Sequence, residues 1–192
     1  MGTSWTHGLF LLMGALFVNI VLIGPRWSGK TEAGRILAAR IGSRFIDTDD
    51  MVEEMAGVSI NILVRDAGWG RFRDMEALAV RRAALEDGLV IATGGGVVTR
   101  AENVRCLRRN GWIVWLKATE ETLKKRMGRD SGNGDSRPSL HGIGPAEEIR
   151  RVLRERTPHY CHAGDLSVET DALSPFEVTE LIVAGTPQKL KR

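Results

Sequence analysis

Apolar residues along the chain fall into two kinds of run. Continuous, largely β-branched stretches at 18–23, 89–92 and 112–116 predict strands buried on both faces of a parallel sheet. Shorter strand-like pieces at 44–46 and 166–168 bring the number of expected strands to five. Between them, apolar positions recur at helical spacing. The clearest case is 30–41, where Ala33, Ile36, Leu37 and Ile41 share a face and Gly42 provides the stop. Further helices are predicted over 51–56, 60–67, 70–86, 101–109, 119–127, 146–163 and 175–183, with Gly57, Gly68, Gly88 and Gly111 as punctuation. Residues 129–144 are polar, rich in glycine and without period, and read as a loop. Strands alternating with helices require right-handed crossovers and a parallel sheet covered on both sides, an α/β fold in three layers.

The ends of the predicted strands carry the candidate chemistry. Gly24-Pro25-Arg26-Trp27-Ser28-Gly29-Lys30-Thr31 fits G-x-x-x-x-G-K-[ST] between a buried strand and a helix. In that context backbone N–H groups wrap phosphate oxygens and the helix offers its positive end. Lys30 reaches the outer phosphates, and the Thr31 hydroxyl ligates Mg²⁺. The next strand ends in Asp47-Thr48-Asp49-Asp50. Ligands of parallel α/β sheets lie beyond the carboxyl ends of the strands, so these carboxylates face the phosphate loop. Two residues apart in extended chain, Asp47 and Asp49 point to one side. Asp47 is assigned to Mg²⁺ and Asp49 to the hydroxyl that receives a phosphoryl group. The competing expectation is an acidic run that only caps the next helix, through Thr48 or Asp50.

Charge and composition narrow the class of substrate. Lys and Arg total 27 against 24 Asp and Glu, a net +3, with Arg far outnumbering Lys. This is too small an excess for a nucleic-acid binder, and no basic stripe interleaved with aromatics is present. Arginine does suit bidentate grips on phosphate and carboxylate. Cys106 and Cys161 have neither zinc nor redox spacing and read as idle thiols of a reducing compartment. The apolar run 8–24 has no Lys or Arg before it, contains Asn19 and is shorter than the roughly 20 residues of a spanning helix. Its second half must also supply the strand before the phosphate loop. The expectation is a cytoplasmic, monomeric protein bound to neither membrane nor nucleic acid. Residues 1–15 are read as an appendage without an assigned role, with Met13 an alternative start. Residues 16–185 form one kinase domain, followed by a basic tail at 186–192.

Taken together and in order, the motifs resemble the shikimate kinase family. After the phosphate loop and Asp47-Thr48-Asp49 come Phe72-Arg73-Asp74-Met75-Glu76, Thr93-Gly94-Gly95-Gly96, Arg137-Pro138-Ser139-Leu140 and Glu155-Arg156-Thr157-Pro158-His159-Tyr160. Trp69 after Gly68 and the Gly24-Pro25-Arg26 opening resemble the second bacterial isoform. The resemblance implies a P-loop, nucleoside-monophosphate-kinase-like fold with a mobile lid at about 128–144. It implies transfer of a phosphoryl group from ATP, with Mg²⁺, to the 3-hydroxyl of shikimate. Lys30, Asp49 and Arg137 would be catalytic. Asp49, Phe72, Arg73, Gly94, Gly95, Gly96 and Arg156 would hold shikimate. Residues Pro25, Arg26, Trp27, Ser28, Gly29, Lys30 and Thr31 would bind ATP with Arg129 and Arg137, while Thr31 and Asp47 hold the metal.

Two departures stand out. Trp27 occupies a place where the family usually has glycine, and 170–174 lacks the Arg that some members set against adenine. Two other readings stay open at this stage. A gluconate-kinase-like enzyme would normally carry a His-containing motif where this chain has Asp50-Met51-Val52. A degenerate P-loop protein would bind ligands without turnover, with Trp27 obstructing ATP.

Overall fold

The computed structural model describes residues 18–130 and 143–188. Five parallel strands form one sheet in the order β2-β3-β1-β4-β5. They are β1 (Asn19–Ile23), β2 (Arg44–Asp47), β3 (Leu89–Ala92), β4 (Gly111–Lys117) and β5 (Leu166–Glu169). The helices between them are α1 (Lys30–Ile41), α2 (Thr48–Ala56), α3 (Ile60–Ala83), α4 (Ala101–Arg109), α5 (Glu120–Asp130), α6 (Pro145–Ala163) and α7 (Pro175–Gly185). β1 pairs with β3 through Val21 opposite Ile91 and with β4 through Val21 opposite Ile113. With the phosphate-loop strand central, the loops after β1, β2 and β3 open side by side at the carboxyl edge.

Strand alternation divides the core. Ile20, Leu22, Val90, Val114 and Leu116 face α1 and α7, where Leu37, Val178 and Ile182 meet them. Val21, Ile23, Ile91 and Ile113 face the other way onto Val80 of α3, Leu107 of α4 and Tyr160 of α6. Leu22 is fully buried, and truncating such a residue to Ala costs about 2–5 kcal/mol. A satellite cluster joins α2 and α3 through Val52, Ile60, Leu63, Val64, Phe72 and Met75. Asn19, which interrupts the apolar run, is buried but satisfied: its amide donates to the Glu86 carbonyl at 2.7 Å and accepts from the Leu89 N–H at 2.9 Å. None of the described helices is long and apolar enough to cross a membrane.

Three boundaries differ from expectation, each for a local reason. Helix α2 starts at Thr48, not 51, because Asp47 caps it. The helices expected at 60–67 and 70–86 run on as α3, broken only at Gly68 (φ 79, ψ 168), and end at Ala83. Helix α5 continues to Asp130, so Arg129 belongs to its last turn and not to an aperiodic loop. The appendage at 1–15, most of the lid with Arg137, and the end of the tail lie outside the described residues.

Candidate active site

The phosphate loop leaves β1 through Gly24, whose φ of 146° and proximity to β4 exclude a side chain: a Cβ there would lie 2.4 Å from the Leu116 carbonyl oxygen. Gly29, at φ 90°, caps α1 without a side-chain acceptor and so leaves the helix's first N–H groups aimed outward. Lys30 is buried and donates to the Pro25 carbonyl at 2.7 Å and to Ser28 Oγ at 3.4 Å. Its ammonium is thus drawn across the loop it serves. Trp27 has φ 60°, alone among described non-glycine residues in taking positive φ. Left-handed backbone costs an L-residue about 1–2 kcal/mol, which the surroundings must offset. Arg26 lays its guanidinium 4.4 Å from the indole centre, and Arg126 of α5 donates to the Trp27 carbonyl at 3.2 Å.

The cap of α2 is Asp47, not the expected Thr48 or Asp50, and the same carboxylate also meets the phosphate loop. One carboxylate oxygen caps α2 by accepting from the Asp49 N–H at 3.0 Å; the other accepts from the Thr31 hydroxyl at 2.8 Å. Burial foremost, then the Asp49 carboxylate, raises its pKa above the usual carboxylate range, against those two hydrogen bonds. Asp49 does not lie in extended chain beside it. It sits in the first turn of α2, so the helix start, and not strand alternation, sets the two carboxylates together.

The Gly94-Gly95-Gly96 turn after β3 gathers the remaining groups. Each glycine makes room for a different neighbour. A Cβ on Gly94 would come within 2.7 Å of both Asp49 Oδ1 and Glu76 Oε1, and one on Gly95 within 3.2 Å of the Arg26 amide nitrogen. One on Gly96 would collide with the Arg73 guanidinium at 2.1 Å. The turn is pinned from behind, since the Gly95 carbonyl accepts from Arg156 Nη1 at 3.0 Å and Tyr160 Oη at 2.5 Å. Arg156 is itself buried. Arg73 donates to both oxygens of fully buried Glu76, at 2.7 and 2.6 Å, and lies over the Phe72 ring, which meets Trp69 edge-on. Burial raises the Glu76 pKa, Arg73 pulls it back, and Asp49 adds to the rise. The Gly94 N–H donates to Thr48 Oγ1 at 3.2 Å and is already committed within the protein.

A family model described as shikimate kinase matches residues 26–186. The chain belongs to the shikimate kinase family. Among shikimate kinases, that of Nitratidesulfovibrio vulgaris is 47% identical over 160 residues, covering 83% of this chain and 91% of that protein. The one from Symbiobacterium thermophilum is 42% identical, over 91% of this chain and 99% of the other. The structure of the Acinetobacter baumannii shikimate kinase in complex with shikimate superposes with a TM-score of 0.81 at 31% identity, across 88% of this chain and 92% of that one. A gluconokinase from Sinorhizobium meliloti, at 18% identity and a TM-score of 0.56, shares the fold.

Of the residues expected of a shikimate kinase, Lys30 and Thr31 lie in or beside the phosphate loop, Asp47 bonds to Thr31, and Asp49, Arg73 and Arg156 meet the glycine turn, with Phe72 beside Arg73. Arg137 lies outside the described residues. Arg129 is exposed in the last turn of α5, while the arginine of that helix reaching the phosphate loop is Arg126. It follows the buried Leu123 at i+3, the spacing that marks one helical face and the only signal in the sequence for its inward position. Glu76, read only as part of a motif, is the group that orients Arg73.

Proposed function

We propose that this shikimate kinase transfers the terminal phosphoryl group of ATP to the 3-hydroxyl of shikimate, as a monomer in the cytoplasm. The observation that carries the assignment of roles is the convergence of Arg73, Arg156 and Asp49 on a glycine turn that abuts the phosphate loop. The two guanidiniums fork the ring carboxylate and hold the acceptor with its hydroxyl toward Asp49. Asp49 orients that hydroxyl and takes its proton as the oxygen attacks phosphorus, while the bond to the β-phosphate oxygen breaks and ADP departs. Lys30 releases the Pro25 carbonyl for the phosphates, and Arg137 joins it from the lid, neutralising charge and excluding water. Arg26 to Thr31 enclose the phosphates with backbone N–H groups, Pro25 shapes the loop beside them, and Arg129 lies on the lid side of the nucleotide. The Thr31 hydroxyl and Asp47 carboxylate, 2.8 Å apart, form a hard-oxygen pair that suits Mg²⁺ shared with ATP. Thr31 and Asp47 would hold the ion, and it would supply positive charge against that developing on the phosphates.

The test is ADP release from Mg²⁺-ATP with shikimate, gluconate or no acceptor. Release that requires shikimate is expected, and Asp49→Asn should abolish it while ADP still binds. Silence from folded protein with every acceptor would replace this reading with a binding protein. Undiminished turnover in Asp49→Asn would remove that residue from the chemistry.

A further inference from the structure

We propose that Arg100 is a positioning residue that registers Arg73 against the glycine turn by gripping the Arg73 carbonyl. The inference deepens the acceptor assignment above and rests on it.

One short segment, 96–100, meets residue 73 at both its side chain and its main chain. The Arg73 guanidinium lies over Gly96, where a Cβ would come within 2.1 Å of it. The Arg73 carbonyl accepts from Arg100 Nη1 at 3.0 Å. The second arm of that fork, Nη2, donates to Asp74 Oδ1 at 2.9 Å. One planar group thus holds two consecutive residues of α3.

The base from which Arg100 reaches is braced on itself. The Gly96 carbonyl accepts from the Thr99 N–H at 3.0 Å and from the Thr99 hydroxyl at 2.7 Å. The Arg100 carbonyl accepts from the Asn103 N–H at 3.0 Å as α4 begins. The buried Asn103 side chain donates to the Val97 carbonyl at 3.3 Å.

Helix α3 has use for a tie of this kind. Glu76, which orients the Arg73 guanidinium, belongs to the same helix and moves with it. Gly68 breaks α3 five residues before Arg73, so the turns ahead of the break do not set the rotation of this one. Apolar packing holds α3 on the sheet but has no direction of its own. The Arg100 fork supplies one, from the segment on which the Arg73 guanidinium rests.

The experiment is calorimetric titration of the full-length protein with shikimate and separately with Mg²⁺-ADP. Arg100→Gln should weaken shikimate binding about fivefold and leave ADP affinity unchanged. Arg105→Gln removes the same charge from the exposed surface of α4 and should change neither. In an Arg73→Lys background, where the fork on the acceptor is already lost, Arg100→Gln should weaken shikimate less than about twofold. Equal losses in the two backgrounds would overturn the proposal, because Arg100 would then act without Arg73. A matching loss from Arg105→Gln would overturn it too, by showing that net charge alone draws the acceptor in. Steady-state rates give a second reading of Arg100→Gln: the shikimate KM should rise with the ATP KM held, and a fall in kcat alone would count against the proposal. A wild-type chain that takes up no shikimate would remove the acceptor assignment and this inference together.

Discussion

Asp47, which caps α2 and is proposed to hold the metal, shows what a buried carboxylate costs. Its pKa is raised above 3.8, mainly by burial, so the folded protein holds this proton more tightly than the unfolded chain. Stability therefore falls as pH rises from the unfolded value through the raised one, and at neutral pH the ionised group is a net burden. Asparagine keeps an oxygen for the Asp49 N–H, and its amide can donate to the Thr31 hydroxyl, which then acts as acceptor. Asp47→Asn should raise the melting temperature at pH 7.5 by about 2–4 °C and lose most Mg²⁺-dependent turnover. The advantage should shrink as the pH approaches 4. Scanning calorimetry across pH checks this, and a lower melting temperature at neutral pH would contradict it. The residue scale is also where the sequence was least legible. The acidic pair, the phosphate loop and the glycine turn could be located from it. That Trp27 would sit at φ 60° had no pattern to announce it, and for Arg126 only its spacing from Leu123 pointed inward. The loop motif accepts any residue at position 27, and a single arginine on a polar helix reads as solvated.

Helices and strands were largely legible, because continuous apolar runs and helical spacing survive without knowledge of partners. Where elements differ from expectation, a side chain or a dihedral decides: the Asp47 cap lengthens α2, and Gly68 breaks α3 without ending it. Helix α6 illustrates an element acting as a strut. Its Tyr160 is fully buried, stacks on Trp115 with ring centres 5.8 Å apart, and reaches the Gly95 carbonyl. Burial lifts its pKa to about 12, so the hydroxyl stays a donor throughout any working pH range. Tyr160→Phe removes only that donor, and Arg156 still satisfies the carbonyl. The expected loss is about 0.5–1.5 kcal/mol of stability, from one hydrogen bond without an orphaned partner. Steady-state kinetics should show the shikimate KM rising several-fold at constant ATP KM. A change confined to the ATP KM would detach α6 from the acceptor site.

At the scale of the whole molecule, the sheet separates two responsibilities. The groups proposed to bind the acceptor come from α2, α3, α6 and the turn after β3, packed on one face and at its rim. Helices α1 and α7 cover the other face. Hydrogen exchange should report this division. Shikimate alone should slow exchange in 48–56, 69–80 and 94–98 while α7 keeps its rates, and Mg²⁺-ADP should protect 24–33. Uniform protection by either ligand would mean that the two sites are not built on separable units.

The three glycines of the turn after β3 face obstacles of unequal kind, and this predicts unequal histories. At position 95 the obstacle to any side chain is the backbone of the phosphate loop, which no substitution elsewhere can trim. Position 94 is closed by two carboxylates, Asp49 and Glu76, so a replacement would have to dismantle two functions at once. At position 96 the nearest obstacle is the end of one side chain, the guanidinium of Arg73. A lineage could therefore drift away from glycine at 96 alone, and only together with a shorter or differently placed cation at 73. Such a paired change would mark the point at which a descendant stopped recognising its carboxylated acceptor.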